Sequence, residues 1–422
     1  MSVTFMSGMV SGRIDAPPSK SYMQRAIVAS LLCEGQSVIL NPSWCDDSVA
    51  ALAIAESLGA SVARESDRIV IEGGLKPSVT TLNCGESGLA LRMFSAVAAM
   101  TGKSLILTGE GSLRKRPVSM IEKPLATLGA SVTTREGFLP IMVEGPLRGG
   151  VVEVDGSVSS QFLTGLLFAL PLAESDSTIK LLNASSKPYI DMTISLLAGF
   201  GIVIENKDYK EFFIKGKQTY RPQTLKVEGD WSGASFFLVM AALSGELTVG
   251  NLRCDSLQAD RRILDVLRQA GADVKEGEYE VTVRKAALKP FMADLSDCPD
   301  LAPPLAILAA ACRGKSIFTG TDRLVVKESS RGDNIKTNLE KLGAAVRVES
   351  GSIEIEGIGR LWHAATRSFN DHRMAMAMAA ASVLSEEGIT VDDIKCINKS
   401  YPGFTDDFVA AGGEVRGFQI SD

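Results

Sequence analysis

The segment SLGASV (57–62) is the first of six related segments whose spacing decides the fold of this chain. The others are TLGASV (127–132), AGFGIV (198–203), QAGADV (269–274), KLGAAV (341–346) and AAGGEV (410–415). Counted at Gly59, Gly129, Gly201, Gly271, Gly343 and Gly413, the steps are 70, 72, 70, 72 and 70 residues. A period this regular, filling a chain of 422 residues, predicts six copies of one structural unit.

Each copy has the pattern of a short α/β unit. A glycine after a helix adopts the left-handed conformation that ends it, and the β-branched residue that follows favours a strand. A second short strand follows in most copies, for example RIVIEG (68–73) and SIEIEG (352–357). Each copy also has a strongly apolar helix upstream, and the six helices are predicted to begin near good N-cap residues: Ser19, Ser87, Ser159, Ser232, Asp300 and Asp371.

The predicted fold class is therefore α/β, and each unit runs β-α-β-α-β-β. Six units divide into two domains of three, which we place at 20–227 and at 1–19 plus 228–422. A doubly wound α/β sheet is the alternative. An enzyme of that class that binds a dinucleotide carries GxGxxG after its first strand, and this chain has no such motif.

Composition limits the kinds of function. The net charge is −6, from 44 basic and 50 acidic residues, which argues against a nucleic-acid-binding protein. Seven scattered cysteines form no CxxC and the two histidines have no metal-ligand spacing, so we expect no metal site. The longest apolar stretches, Leu301–Cys312 and Met374–Leu384, are shorter than the roughly 20 residues that span a bilayer. The first residues show no signal-peptide pattern, so we expect a cytoplasmic protein with no membrane partner.

Cations and hydroxyl groups gather where the apolar helices are predicted to begin. A helix start offers free N–H groups and a partial positive charge, so an added Lys or Arg makes it an anion site. The segments are PPSKSYMQR (17–25), NCGESGLALR (83–92), LRKRP (113–117), VSSQFLTG (158–165), SKPYID (186–191), SDCPDLAPP (296–304), VVKESSR (325–331), FNDHRMAMA (369–377) and NKSYPGF (398–404). Each alone is also typical of a capped helix or a solvated turn. Together they predict a cleft that binds more than one anion, and the lack of a Walker motif argues against a nucleotide–magnesium site.

In order and spacing, PPSKSYMQRA, SGLALR, KRP, VSSQFLTG, SKPYID, KESSR and NDHRMAMA resemble the motifs of the EPSP synthase family of enolpyruvyl transferases. The resemblance extends from Lys20 to Lys399. It implies two inverse α/β domains of three repeats each, with the ligands in the interdomain cleft. It also implies transfer of the carboxyvinyl group of phosphoenolpyruvate to the 5-hydroxyl of shikimate 3-phosphate, with no cofactor. We expect the enzyme to be a monomer.

Taken motif by motif, the resemblance implies roles for individual residues. Phosphoenolpyruvate would contact Lys20, Gly88, Arg116, Gln161, Arg331, Arg373 and Lys399. Shikimate 3-phosphate would contact Lys20, Ser21, Arg25, Ser159, Ser160, Gln161, Ser186, Tyr189, Asp300 and Lys327. Asp300 would take the proton of the attacking hydroxyl, while Glu328, with Lys20 and His372, would manage the proton at the methylene carbon. Such a set suits an addition–elimination, which needs acid–base groups and cations that hold the intermediate.

Four positions depart from the family pattern. Glu86 stands where the family often has Asn, Leu89 where Thr is common, Ser330 where the motif has Asp, and Arg323 where some members have a ligand-binding Asn. The cations are unchanged, so we expect these departures to affect fine substrate contacts and inhibitor response rather than the reaction.

Two other functions stay open. The sister enolpyruvyl transferase acting on UDP-N-acetylglucosamine shares the fold but has Lys-Asn where this chain has Lys20 and Ser21. It also typically carries a reactive Cys beside the arginine motif, and GEGSLRKRPV (109–118) has none. The other candidate is a non-catalytic anion-binding protein of the same fold, which would not need Asp300 and Glu328 together with every cation.

Overall fold

The computed structural model of the chain describes residues 2–157 and 160–417. Ser159, a predicted helix start and a predicted ligand of shikimate 3-phosphate, lies outside the described residues. None of the described helices is both long and apolar enough to cross a membrane.

Strands and helices alternate along the chain as the period predicts. The strands are β1 (Val3–Ser7), β2 (Arg13–Asp15), β3 (Gln36–Leu40), β4 (Ser61–Arg64), β5 (Arg68–Glu72), β6 (Thr81–Asn83), β7 (Ser104–Thr108), β8 (Ser131–Arg135), β9 (Phe138–Glu144), β10 (Gly150–Asp155), β11 (Ser177–Leu182), β12 (Ile204–Lys207), β13 (Glu211–Ile214), β14 (Thr224–Lys226), β15 (Glu246–Gly250), β16 (Asp273–Glu276), β17 (Glu280–Arg284), β18 (Met292–Asp294), β19 (Gly314–Thr319), β20 (Ala345–Glu349), β21 (Ser352–Gly357), β22 (Ala365–Thr366), β23 (Ile389–Val391) and β24 (Gly413–Arg416). The α-helices are α1 (Lys20–Leu31), α2 (Asp46–Ser57), α3 (Gly88–Ala98), α4 (Glu122–Thr127), α5 (Gln161–Ala169), α6 (Lys187–Gly199), α7 (Trp231–Ser244), α8 (Ile263–Ala270), α9 (Ala302–Ala311), α10 (Arg331–Lys341), α11 (His372–Ala381) and α12 (Phe404–Ala410). Short 3-10 turns cover Ala99–Thr101, Gly111–Lys115, Ser119–Ile121, Leu170–Leu172, Ala259–Arg262, Pro299–Leu301, Asp322–Val326, Ser382–Leu384 and Ile394–Lys399.

The strands of the described residues form six four-stranded sheets of one design. In the order β6-β7-β9-β8, for example, β6 runs parallel to β7, whereas β9 is antiparallel to both of its neighbours. The parallel pair requires a crossover, which α3 supplies, and the antiparallel pair β8–β9 closes through a tight hairpin. The predicted fold class and the repeated β-α-β-α-β-β unit are confirmed.

Three sheets take a strand from a distant part of the chain. β14 runs parallel to β3, so the first sheet receives its outer strand from about 190 residues further on. β2 runs parallel to β15 in the same way. β1 pairs with both β23 and β24, so the second hairpin strand of the sixth unit is supplied by the beginning of the chain.

The chain folds into two compact units. The central unit is Pro18–Val227, and the terminal unit consists of the described parts of Met1–Pro17 and Glu228–Asp422. In the central unit, α3 packs against α5, and both helices are buried nearly all round. In the terminal unit, α11 packs against α7 and α9, which are equally apolar. Helices of this kind are apolar on nearly every face because they lie in a core, and the charged residues they carry, such as Arg92 and Arg373, lie in their N-terminal halves.

Helix starts follow the predicted caps at three places. Ser19 caps α1 through Tyr22 N, Ser87 caps α3 through Ala90 N, and Asp371 caps α11 through Arg373 N. Each cap satisfies one of the N–H groups that the first turn of a helix leaves without a partner in the helix.

At two other places the predicted start is displaced. α7 begins at Trp231 because Asp230 is the N-cap and accepts from Gly233 N at 2.9 Å, so Ser232 is already the second residue of the helix. Asp300 lies within the 3-10 turn Pro299–Leu301 and does not cap α9, which begins at Ala302. Its carboxylate is therefore available to other partners.

The sixth glycine of the period is also displaced by one residue. Gly412, with φ of 97°, has the left-handed conformation, and Gly413 instead begins β24. A side chain at Gly413 would overlap the ring of Phe408, so this glycine is required by packing rather than by helix termination. The first five glycines have φ between 81° and 118°, as predicted.

Candidate active site

In the terminal unit, Arg331 is the centre of a cluster of charges. It is the first residue of α10 and its side chain is fully buried. It donates to Asp300 Oδ1 at 2.6 Å, to Asp371 Oδ2 at 2.9 Å and to Glu328 Oε2. A guanidinium can serve three carboxylates at once because its N–H groups form a rigid fork. The predicted acid–base residues Asp300 and Glu328 thus both bind the same cation, Arg331.

Asp300 is surrounded by cations. Besides Arg331, it contacts Lys327 Nζ at 3.3 Å and Arg373 Nη2 at 3.1 Å. Burial alone would raise the pKa of Asp300, but Arg373, Lys327 and Arg331 outweigh this effect and hold the pKa well below its ordinary value. The carboxylate is therefore ionised at neutral pH and can accept a hydrogen bond from an alcohol.

Lys327 has the opposite balance. Burial lowers its pKa from 10.5 to about 8, and the attraction of Asp300 offsets this only in part, since Arg323 and Arg331 repel the ammonium charge. Lys327 is thus a cation at neutral pH that titrates not far above it.

The start of α11 contributes three consecutive residues to the charge cluster around Arg331: the cap residue Asp371 and the predicted site residues His372 and Arg373. Asp371 is fully buried and accepts from both Arg331 Nε and Ser329 Oγ. His372 is buried beside it, with Nδ1 4.0 Å from Asp371 Oδ1. Arg373 follows on the same turn and reaches Asp300. The cap residue therefore orients one predicted ligand, Arg331, as well as the helix itself.

Lys399 lies at the end of the 3-10 turn Ile394–Lys399 and donates to the Asn370 carbonyl at 2.8 Å. Phe369 and Asn370, both with φ of 56°, form a strained left-handed turn just before α11. This turn presents the carbonyl of Asn370 to the lysine, so Lys399 is held at the start of α11 with the other cations.

A buried carboxylate, Asp260, lies near Asp300 and Arg373 and is bound by the start of α7. Ser232 Oγ donates to Asp260, which is fully buried. Burial, together with repulsion from Asp300, raises the pKa of Asp260 to about 6, although Arg373 opposes the shift.

In the central unit, Lys20 is the first residue of α1 and forms an ion pair with Asp47 Oδ2 at 2.9 Å. Asp47 is the second residue of α2, and both side chains are about nine-tenths buried, at 11% exposure each. The carboxylate fixes the direction of Nζ.

The start of α3 brings together three predicted ligands of phosphoenolpyruvate. Arg116 packs directly on Gly88, where a Cβ would overlap its guanidinium. Arg92, one turn into α3, donates to Gly88 O at 3.3 Å and to Gln161 Oε1 at 3.0 Å. It also donates to Pro117 O at 3.2 Å, next to Arg116. Arg92 thus ties Gly88, Gln161 and the Arg116 segment to one helix.

Arg25 and Tyr189, two predicted ligands of shikimate 3-phosphate, contact each other in the central unit. Arg25 is buried and donates to Thr193 Oγ1 at 2.9 Å and to Ser21 O at 2.7 Å. Its guanidinium lies over the Tyr189 ring, 5.7 Å from the centroid. Burial lowers the pKa of Arg25 to about 10, so it stays charged at neutral pH.

Ser160 and Ser186 lie at helix starts, as predicted. Both are buried N-cap residues, Ser160 of α5 and Ser186 of α6, and Ser186 has φ of 53°. Among the residues that the structure describes, no group of three or more His, Cys, Asp or Glu side chains is arranged to hold a metal ion.

A family model described as EPSP synthase (3-phosphoshikimate 1-carboxyvinyltransferase) matches residues 6–408 of the chain. The chain belongs to the EPSP synthase family. The 3-phosphoshikimate 1-carboxyvinyltransferase of Clostridium kluyveri is 38% identical over 417 residues, covering 97% of each chain. That of Methanocorpusculum labreanum is 37% identical over 421 residues, covering 99% of this chain and 100% of its own. The predicted family and the predicted class of enzyme, a transferase, are confirmed.

Solved structures agree with the EPSP synthase assignment. An EPSP synthase from Acinetobacter baumannii superimposes with a TM-score of 0.83 at 25% identity, covering 98% of this chain and 99% of its own. The enolpyruvyl transferase NikO from Streptomyces tendae, with a TM-score of 0.81 at 15% identity over 98% of each chain, shows the same fold.

The positions where this EPSP synthase family member departs from the pattern have structural partners. Glu86 Oε2 accepts from Ser112 N at 2.9 Å and Ser112 Oγ at 3.0 Å. Ser330 Oγ donates to Asp333 Oδ2 at 2.6 Å, and Arg323 donates to Ser296 O at 3.1 Å. Leu89 is buried in α3. Glu86 therefore connects the start of α3 to the turn that precedes Arg116.

Sequence reasoning left three neighbours of the predicted set without a site role: Asp47, Arg92 and Thr193. Arg92 does have a local signal, because it is a charged residue in a helix that is otherwise apolar and buried throughout. Asp47 has no such signal, since α2 is only half buried and also carries Asp46 and Glu56. Thr193 has none, since a threonine inside a helix is unremarkable by itself.

Proposed function

We propose that the chain transfers the carboxyvinyl group of phosphoenolpyruvate to the 5-hydroxyl of shikimate 3-phosphate and releases phosphate. The observation that carries this proposal is the ionised Asp300 carboxylate, held by Arg331, Arg373 and Lys327 in a member of the EPSP synthase family. A carboxylate base among cations is what an alcohol needs in order to attack beside an anionic substrate.

The reaction is proposed as an addition followed by an elimination. Asp300 takes the proton of the 5-hydroxyl as its oxygen bonds to C2 of phosphoenolpyruvate, while C3 gains a proton and becomes a methyl group. In the second step C3 loses a proton, the C2–O bond to phosphate breaks, and the double bond re-forms. Glu328, Lys20 and His372 are the proposed groups for the C3 proton.

Binding is proposed to use cations of both units. Arg331, Arg373 and Lys399 of the terminal unit, with Lys20, Arg116, Gly88 and Gln161 of the central unit, would hold phosphoenolpyruvate. Shikimate 3-phosphate would be held by Lys20, Ser21, Arg25, Ser159, Ser160, Gln161, Ser186, Tyr189, Asp300 and Lys327. What supports this division is that some members of one set lie together: Arg92 donates to both Gly88 and Gln161, and Arg25 contacts Ser21 and Tyr189.

The proposed domains are 20–227 and 1–19 plus 228–422, with the ligands held by both. A monomer in the cytoplasm also stays a prediction, which light scattering of the purified protein and fractionation of cells would test.

One assay tests the function. Purified protein is mixed with phosphoenolpyruvate and shikimate 3-phosphate, and phosphate release is measured against mixtures that lack one substrate. We expect release only with both substrates. Release with UDP-N-acetylglucosamine in place of shikimate 3-phosphate would support the sister transferase instead, and binding of both ligands without release would support the non-catalytic alternative.

A further inference from the structure

Gln24 links the start of α1 to the start of α3 within the central unit. It is fully buried, one turn after Lys20 on α1. Ser87 Oγ donates to Gln24 Oε1 at 3.0 Å and at the same time accepts from Ala90 N at 3.2 Å. Gln24 therefore holds the hydroxyl group of Ser87, which is the N-cap of α3.

A buried glutamine is a costly choice if packing is its only role. Its Nε2 is also buried and makes no hydrogen bond to any residue in the described ranges 2–157 and 160–417. An amide that is only half satisfied in a core is less favourable than a methionine or leucine of similar volume. Local arrangements that work against stability in this way are concentrated at functional sites.

The groups that Ser87 positions are those of the phosphoenolpyruvate set. Gly88 follows it directly, and Arg116 packs on Gly88 so closely that a Cβ there would displace its guanidinium. Arg92 closes the same turn by donating to Gly88 O. A small movement of Ser87 would shift Gly88 and both guanidinium groups together, while Lys20 stays on α1.

We propose that Gln24 is a positioning residue that fixes the start of α3 against the start of α1, so that Lys20 and Arg116 hold phosphoenolpyruvate at the correct separation. The inference rests on the proposed function. Gln24 touches neither substrate in this scheme; it acts through Ser87. Its loss should therefore weaken the binding of phosphoenolpyruvate and leave the chemical step and shikimate 3-phosphate binding nearly unchanged.

The test is a double-mutant cycle on KM and kcat. Gln24→Met keeps the length of the side chain and removes the amide, and Ser87→Ala removes its partner. We expect Gln24→Met to raise KM for phosphoenolpyruvate about tenfold, the effect of one lost buried hydrogen bond on a binding group, with kcat within about twofold. Because both residues act through one contact, KM for phosphoenolpyruvate in the double variant should match that of Ser87→Ala within about twofold.

Controls separate positioning from folding. Tyr220→Phe removes another buried hydrogen bond of the central unit, to Phe168 O at 2.6 Å, and should lower the melting temperature without moving KM. Ser87→Thr keeps a capping hydroxyl and should restore most of the lost affinity. If Gln24→Met does not fold, Gln24→Leu replaces it in the cycle.

Two results would overturn the inference: an unchanged KM in a folded Gln24 variant, or effects of the two single variants that multiply in the double variant. Failure of the proposed function is a different outcome, because the unsubstituted protein would then release no phosphate at all.

Discussion

Asp300 is the residue on which the proposed chemistry depends most directly. Its ion pairs keep it ionised, so Asp300→Asn removes the base while preserving the shape of the side chain. We expect kcat to fall by about 10²–10⁴, the usual contribution of a positioned base. Binding of shikimate 3-phosphate, measured by calorimetry, should be largely kept, because Lys327 and the proposed ligands of the central unit, such as Arg25 and Tyr189, remain. A variant that still turns over at more than a tenth of the original rate would exclude Asp300 as the base.

Lys327 predicts a pH dependence of substrate binding. Its folded-state pKa of about 8 is below its ordinary value of 10.5, so the ammonium is present below pH 8 and is lost as pH rises through that value. The KM for shikimate 3-phosphate should therefore rise between about pH 7 and pH 9. Lys327→Arg, which stays charged in this range, should flatten the profile. An identical profile in the two proteins would assign the titration to another group.

Gly88 predicts a steric effect on one substrate. A Cβ there would overlap the Arg116 guanidinium, which must then move. We expect Gly88→Ala to raise KM for phosphoenolpyruvate about tenfold or more and to leave KM for shikimate 3-phosphate nearly constant. The matched control is Gly199→Ala, since that glycine has open space around it and lies at the end of α6. Equal effects of the two substitutions would mean that helix stability, not Arg116, is responsible.

For individual residues, the sequence identifies the charged groups of the site better than it identifies their ion-pair partners. Asp300, Lys327, Glu328 and Arg331 are predicted site residues from two separate segments, and the structure brings their side chains together. The ion pairs of Lys20 with Asp47 and of Arg331 with Asp371 join residues 27 and 40 positions apart. Spacing along a chain carries no information about such pairs, because they depend on how separate helices pack.

Among the elements, the 3-10 turn Gly111–Lys115 depends on Glu86. Gly111 packs on the Glu86 carboxylate, and Ser112 donates to it twice. Arg116 comes directly after this turn, so Glu86→Ala should loosen it and raise KM for phosphoenolpyruvate several-fold. Glu86→Gln keeps one acceptor oxygen and should lose less. Protease sensitivity of 109–118 measures the turn independently, and a turn that is no more sensitive in Glu86→Ala would contradict this role.

Helix starts show where local patterns suffice. Ser19, Ser87 and Asp371 act as caps because their side chains need only reach a backbone N–H two or three residues away. The start of α7 was wrongly placed because Asp230 and Ser232 are both good caps, and only the position of the backbone decides between them. The predicted start at Asp300 is likewise displaced, because Asp300 lies in the 3-10 turn Pro299–Leu301 that precedes α9.

Across the molecule, the six-fold period predicted the architecture because each unit repeats the same local signals. It could not predict the exchanged strands. β2 and β14 each lie beside a helix in sequence yet pair in a distant sheet, and β24 pairs with β1 from the other end of the sequence. Such pairing is decided by which sheet edge is open once the units have formed, which is a property of the whole fold.

The strand β1 therefore stabilises the last repeat from the other end of the sequence. Phe5 is fully buried there, with its ring centroid 5.0 Å from that of Phe408 and 6.5 Å from that of Phe404 on α12. Phe5→Ala should reduce the free energy of unfolding by about 3–5 kcal/mol, as for other phenylalanines removed from a core. Met9→Ala, at a site that is 73% exposed, is the control and should change it by less than about 0.5 kcal/mol. Denaturation in urea, followed by circular dichroism, measures both. Lys399 precedes α12 by only a few residues, so the Phe5 variant should also raise KM for phosphoenolpyruvate. A large loss of stability with an unchanged KM would show that the position of Lys399 does not depend on β1.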